Sequence, residues 1–246
     1  GRPMYAGHEQ PHVPHPDVGY YDLSDPAALE RQAAMAAAHG IHGFCFYYYW
    51  FGGRRLLEKP LEEMLRSGRP SFPFCICWAN ENWTRTWDGH DTEILMAQSH
   101  EPSADRDFIR DVIPLLRDPR YIRVAGRPLL AVYRPESLAE PRRAAATWRE
   151  ECRRAGIGEI HLVAVRSFSK DDPARFGFDA AIQFPPLQIP ARNLADDAEV
   201  AAVPDFSGSI HDYAEAAGFS LAETPPGYRM YRGLMPAWDN TARRME

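Results

Sequence analysis

The stretch F-P-F-C-I-C-W-A-N-E-N-W-T-R-T-W-D-G, residues 72 to 89, joins two kinds of sequence. Its first half is a short apolar run of the kind that forms a buried strand, predicted here over 72–80. Its second half sets one carboxylate, Glu81, between the carboxamides Asn80 and Asn82, with Trp78, Trp83, Arg85, Trp87 and Asp88 close by. Packing alone does not call for that mixture. A buried strand that ends in a dense polar and aromatic cluster is how a parallel α/β enzyme presents a site at the carboxyl edge of its sheet. The plainer alternative is a Trp-rich loop whose Asn and Glu cap a helix.

Working outward, the chain reads as strands and helices in alternation. Ser24 caps a helix that carries Leu29, Ala33, Ala36 and Ala37 on one stripe and ends at Gly40. The strand at 41–51, I-H-G-F-C-F-Y-Y-Y-W-F, is apolar on both faces and ends in Tyr47, Tyr48, Tyr49 and Trp50. Helices follow at 56–67, 104–116, 141–155 and 210–217, and further strands at 129–133, 160–165, 178–184 and 228–235. Tyr133-Arg134, Arg166, Gln183 and Trp238-Asp239-Asn240 stand at or beyond strand ends. Six strand candidates separated by helices point to a barrel or an open doubly wound sheet. Polar or aromatic groups at nearly every strand end favour the barrel, whose loops converge on one site.

Composition narrows the function. With 246 residues, 45% hydrophobic and 25% charged, the chain has the make-up of one sizeable globular domain, taken as 1–246. A net charge of -6 argues against a nucleic-acid partner, and a neutral substrate fits better. Cys45, Cys75, Cys77 and Cys152 lack metal-ligand spacing and read as small buried hydrophobes, which weakly favours a reducing, cytoplasmic setting. No apolar run is long enough to span a bilayer. His8, His12 and His15 are interrupted by prolines, and no Cys or paired carboxylate completes a set, so a sugar-contacting or surface loop is preferred to a metal site. No G-x-G-x-x-G, P-loop or G-x-S-x-G follows a strand, and no cofactor is expected.

Stacking rings beside hydroxyl and amide groups suit a sugar, whose faces are apolar and whose rim is hydroxyls. The candidate substrate-binding residues are therefore His8, Tyr47, Tyr49, Trp50, Trp78, Asn80, Asn82, Trp83, Arg85, Trp87, Asp88, Tyr133, Arg134, Gln183, Trp238, Asp239 and Asn240. Glu81 is the carboxylate with an amide-flanked setting at a strand end. Three roles are open to it: catalytic acid, acceptor for sugar hydroxyls, or member of a structural network.

The segments G-H-E-Q-P-H-V-P (7–14), G-F-C-F-Y-Y-Y-W-F (43–51), C-W-A-N-E-N-W-T (77–84), G-R-P-L-L (126–130) and W-D-N-T-A-R-R (238–244) resemble the WbsX-type proteins over the whole chain. That family resembles the family 99 glycoside hydrolases and occurs with O-antigen and other surface-polysaccharide genes. The resemblance implies a (β/α)8 barrel acting on a glycan, here with six of the eight strands. It also implies that the first and last strands, and the catalytic Glu pair carried by a C-terminal N-E-W-A-E-G motif, lie outside this sequence, whose first residue is Gly1 rather than Met. The expected activity is making or breaking glycosidic bonds, by a hydrolase-like enzyme or a glycosyltransferase; a glycan-binding barrel without turnover is the other class.

Overall fold

A computed structural model describes residues 7–8, 14–85, 90–99, 101–195, 197, 200, 202, 206 and 208–240, with backbone alone at residues 90–92 and 102. In chain order the elements are α1 (Pro26–Ala38), β1 (Phe44–Phe51), β2 (Arg54–Leu56), α2 (Lys59–Ser67), β3 (Phe74–Trp78), β4 (Trp83–Arg85), β5 (His90–Met96) and α3 (Pro102–Leu116). They continue with β6 (Arg123–Val124), β7 (Arg127–Val132), α4 (Pro141–Arg154), β8 (His161–Arg166), β9 (Ala180–Gln183), α5 (Tyr213–Ala222) and β10 (Met230–Tyr231).

β1, β3, β7, β8, β9 and β10 pair in that order, each parallel to the next. Each overlaps a stretch read as a strand from sequence. Strands that neighbour in space as they follow in sequence, each returned by a crossover, place every carboxyl end on one edge of the sheet. β2 continues the sheet antiparallel to the end of β1, and β6 pairs with β7. The strand path runs from β10 to β2 and does not join its ends among the described residues, so a closed barrel is not seen.

Strand alternation divides the side chains between two faces. On the helix-covered face Tyr48, Trp50, Phe74, Ile76, Trp78, Leu130, Val132 and Leu162 pack with Phe108, Ile109 and Val112 of α3 and Trp148 of α4. Trp78 stacks on Phe108 with centroids 4.0 Å apart and planes 21° apart, and Trp148 meets Trp78 edge-on. Smaller groups fill the other face, where Cys77, Ala131, Val163, Val165 and Ala180 lie beneath Tyr133, Ile182, Phe184 and Tyr231. At the amino ends, Asp179 accepts from Arg127, Arg149 and the Leu162 amide, locking β7, β8 and β9 together opposite the carboxyl edge.

Several boundaries differ from the sequence reading. Asp25, not Ser24, caps α1, its Oδ1 accepting from Ala27 N at 3.0 Å. The helix expected from Leu56 begins at Lys59, because Gly52 and Gly53 at φ 56° and 95° fold the chain into the β1–β2 hairpin. Asp212 starts α5 three residues late, its Oδ1 accepting from Glu215 N at 2.7 Å. The segment after Asn82 contains a β4–β5 hairpin where the sequence reading placed only a loop, although Asp88-Gly89 is a hairpin-type pair.

Candidate functional site

At the carboxyl end of β1 the alternation separates four consecutive aromatic residues. Tyr48 and Trp50 enter the helix-side core, whereas Tyr47 is 44% exposed and Tyr49 half-buried on the other face. Tyr47 packs edge-to-face against Tyr133 just beyond β7 (6.0 Å) and tilts against Tyr49 (6.0 Å). Tyr49 meets Trp83 of β4 at 4.9 Å, and Tyr133 meets Phe184 at 5.3 Å and Phe168 at 6.3 Å. Six rings from five successive parts of the fold thus form one connected surface, Trp83–Tyr49–Tyr47–Tyr133 with Phe168 and Phe184, at the carboxyl edge.

Charge is built into the same surface. Arg134 Nη1 donates to Glu81 Oε1 at 2.9 Å and its Nε to Glu136 Oε1 at 3.4 Å, while its guanidinium carbon lies 4.2 Å from the Phe168 ring centre. Glu81 and Arg134 are both about one-third exposed, so their outer atoms remain open to a ligand. Burial first, and then the Glu81 carboxylate, push the Tyr133 phenol up to about 12; burial raises that of Tyr47 as well. Both hydroxyls are therefore neutral at ordinary pH and able to donate and accept hydrogen bonds.

Asn80 supplies the scaffold for this pair. It is 1% exposed; its Nδ2 donates to Arg134 O (2.7 Å) and Ser137 Oγ (3.0 Å), and its Oδ1 accepts from Arg134 N (2.8 Å). One carboxamide thereby fixes the ends of β3 and β7 to each other and sets Arg134 against Glu81. Asn82 Oδ1 accepts from Gln98 N at 2.8 Å, and Gln98 Nε2 donates to Trp50 O at 2.9 Å, anchoring the β4–β5 hairpin beside β1. Arg85 Nη1 meets Glu93 Oε2 at 2.9 Å across that hairpin.

Of the candidates from sequence, Glu81, Tyr47, Tyr49, Trp83, Tyr133 and Arg134 come together, with Asn80, Asn82 and Arg85 arranging them. Trp50 and Trp78 need correction: at 1% and 2% exposure they are core residues and present no face for stacking, because both are in register with the side of the sheet that α3 and α4 cover. Gln183 also turns to the helix side, where it donates to Glu223 Oε2 and accepts from Gly233 N (3.1 Å). Trp87, Asp88 and His12 lie outside the described residues. Trp238, Asp239 and Asn240 form a second group, lining a cavity of about 340 Å3 with His211, Asp212 and Tyr213. His8, 6% exposed, joins that group through Nε2 to Asp239 Oδ2 at 3.0 Å. His15 lies 3.5 Å from Asp17 at the surface, and among the described residues no metal-holding cluster of His, Cys, Asp and Glu is present.

Sequence reading missed Phe168, Phe184, Glu136 and Gln98. Phe168 and Phe184 stand just past β8 and β9, so the strand-end rule that selected Tyr133 applies to them equally. Glu136 and Gln98 carried no comparable signal.

The model of the family described as Glycosyltransferase WbsX matches residues 1–246. Two proteins named "Uncharacterized protein WxcX", from two strains of Xanthomonas campestris pv. campestris, are each 45% identical over 243 residues. The match covers 98% of this chain and 34% of either relative, so the chain spans about a third of their length. Among solved structures, a "Glycoside hydrolase-like protein" aligns with TM-score 0.51 at 15% identity, covering 71% of this chain and 54% of that one. A GH99 endo-alpha-mannosidase from Bacteriodes thetaiotaomicron aligns with TM-score 0.43 at 14% identity, covering 69% and 49%.

Proposed function

The chain belongs to the glycosyltransferase WbsX family, and from that premise we propose that its carboxyl edge binds a glycan for the making or breaking of a glycosidic bond in a surface polysaccharide. One observation carries the reading: the exposed aromatic surface that surrounds the Glu81–Arg134 pair. Sugar rings offer apolar C–H faces to Tyr47, Tyr49 and Trp83 and hydroxyls to the Tyr133 phenol, Arg134 and Glu81. Glu81, already accepting one hydrogen bond from Arg134, acts as an acceptor for sugar hydroxyls. Trp238, Asp239 and Asn240, with His8 behind them, extend the glycan contacts.

The six parallel strands represent an arc of a (β/α)8 barrel, supported by their order and by the likeness in fold to the glycoside hydrolase-like structure. A glycosidase needs two carboxyl groups flanking the scissile bond, and Glu81 is read here as a binding group and not as one of that pair. The family description favours a second reading, transfer to an acceptor sugar rather than to water.

Product analysis separates these readings. Incubation of the intact protein with oligosaccharides from its own surface polysaccharide yields new reducing ends for hydrolysis, or longer products when an acceptor sugar is supplied for transfer. Tyr47→Ala, which removes an exposed ring at the middle of the platform, lowers either yield; product formation equal to that of the unaltered protein refutes the assignment of this surface.

A further inference from the structure

A second cavity, of about 270 Å3, lies behind the aromatic surface, between the segment 184–190 and α5. Its size is at the small end of ligand pockets and suits one ring-sized group. Phe184 is the partition: it lines this cavity and also touches Tyr133 of the platform. The remaining wall is largely apolar, from Leu187, Ile189, Pro190 and Phe219.

The polar groups of the wall are unequally satisfied. Arg166, the last residue of β8, is 7% exposed; its Nη2 donates to Glu223 Oε1 at 2.9 Å, its Nη1 lies 2.7 Å from Met230 Sδ, and its Nε has no partner. A thioether is a weak acceptor, so two of the three nitrogens of a buried guanidinium are poorly served. Gln188 Nε2 is likewise buried without a partner. Glu223 has both oxygens occupied, one by Arg166 and one by Gln183. The unspent groups are therefore donors, and the matching ligand is an acceptor. Arg166 and Lys170 against Glu223 leave one positive charge in the lining. That balance suits a single negative charge, whereas a doubly charged phosphate would set its second charge against Glu223. A carboxylate has one charge and accepts only.

We propose that this cavity holds the carboxylate-bearing ring of an acidic sugar, with Arg166 and Gln188 on the carboxylate and the apolar wall on the ring. This rests on the glycan reading of the adjoining platform and adds a substrate class to it.

The test is calorimetric titration of the intact protein with glucuronate, a glucuronate-terminated disaccharide, glucose and acetate. Glucuronate is expected to bind one to one, the disaccharide more tightly, and glucose and acetate not measurably. Arg166→Gln should weaken glucuronate by roughly ten- to a hundred-fold, the loss expected for charge-assisted hydrogen bonds. Because that change also takes away the ion-pair partner of Glu223, Leu187→Trp is made in parallel to fill the cavity from its apolar wall. It should abolish glucuronate binding with circular dichroism and melting temperature unchanged. Binding of glucose or acetate as tight as that of glucuronate, absence of glucuronate binding, or binding unaffected by Leu187→Trp overturns the proposal. Free glucuronate binding more tightly than the disaccharide overturns the link to a glycan. Tyr47→Ala distinguishes the two readings. If it leaves glycan binding intact while glucuronate still binds here, the platform assignment fails alone; if it abolishes glycan binding while glucuronate never binds, this cavity assignment fails alone.

Discussion

Replacing Asn80 with Ala should destabilise the fold and the site together. Its carboxamide makes three hydrogen bonds, to Arg134 O, Arg134 N and Ser137 Oγ, at 2.7 to 3.0 Å in a position 1% exposed. At about 0.5 to 1.5 kcal/mol net per bond, and with the Arg134 amide left without its acceptor, the loss is about 2 to 4 kcal/mol. Asn80→Asp retains the acceptor for Arg134 N but turns a carboxylate oxygen towards the carbonyl of Arg134, so it costs more than Ala at neutral pH and recovers as the introduced acid protonates. Asn82→Ala is the control: that exposed side chain makes one bond, to Gln98 N, and should cost about 1 kcal/mol or less. Urea unfolding followed by tryptophan fluorescence measures all three, with a common slope required for the comparison. An Asn80→Ala variant within 0.5 kcal/mol of the unaltered chain (about the error expected of such curves) would falsify the account of Asn80 as the tie between β3 and β7.

Trp78→Ala, which empties a place stacked on Phe108, should cost about 3 to 5 kcal/mol, while Trp83→Ala on the platform costs clearly less; equal losses in an unfolding titration contradict the division into core and site. Gly43→Ala brings a methyl group to 2.5 Å from the Pro73 carbonyl oxygen, where backbone has to shift, so a melting temperature unchanged from the parent argues against that approach of β1 to the segment before β3. Burial lifts Asp105 to about 6 despite the opposing Arg143. A carboxyl raised in the folded state gives stability that is full below its unfolded value and is lost as pH rises through its folded one, so stability should fall by up to about 3 kcal/mol between about pH 4 and 6. Asp105→Asn should flatten that slope, and a slope identical in the variant assigns it to other groups.

The strand pattern was legible because a parallel sheet covered by helices needs short runs apolar on both faces, and 41–51, 72–80 and 160–165 have little else. What periodicity could not resolve was which face of each strand looks at the site. Tyr47 to Trp50 are consecutive aromatic residues, and only the packing of α3 against β1 and β3 decides that Tyr48 and Trp50 are core. Trp78 fails as a candidate for the same reason: a large aromatic at a strand end fills core and binds sugar equally well by composition. Asn80 and Glu81 are adjacent in sequence yet divide the work, since Asn80 is spent on backbone and Glu81 is not. Ring contacts between Tyr133, Phe168 and Phe184 depend on loops after three different strands, for which sequence gives order but no distances. The β4–β5 hairpin did carry a signal in sequence, the Asp88-Gly89 pair, but the Trp-, Asn- and Arg-rich segment before it was read as a loop because it lacks the apolar alternation of a strand.

The central claim, that the surface around Glu81 and Arg134 holds a glycan, is tested most directly by Glu81→Gln in the intact protein. Affinity for the polysaccharide fragment is read by calorimetry and turnover on the same preparation. The substitution keeps size and one acceptor while removing the charge, so affinity should fall roughly ten- to a hundred-fold, the worth of about 1.5 to 3 kcal/mol, and residual turnover should persist. Affinity unchanged with turnover abolished contradicts the binding role and makes Glu81 a catalytic group; affinity and turnover both unchanged remove it from the site.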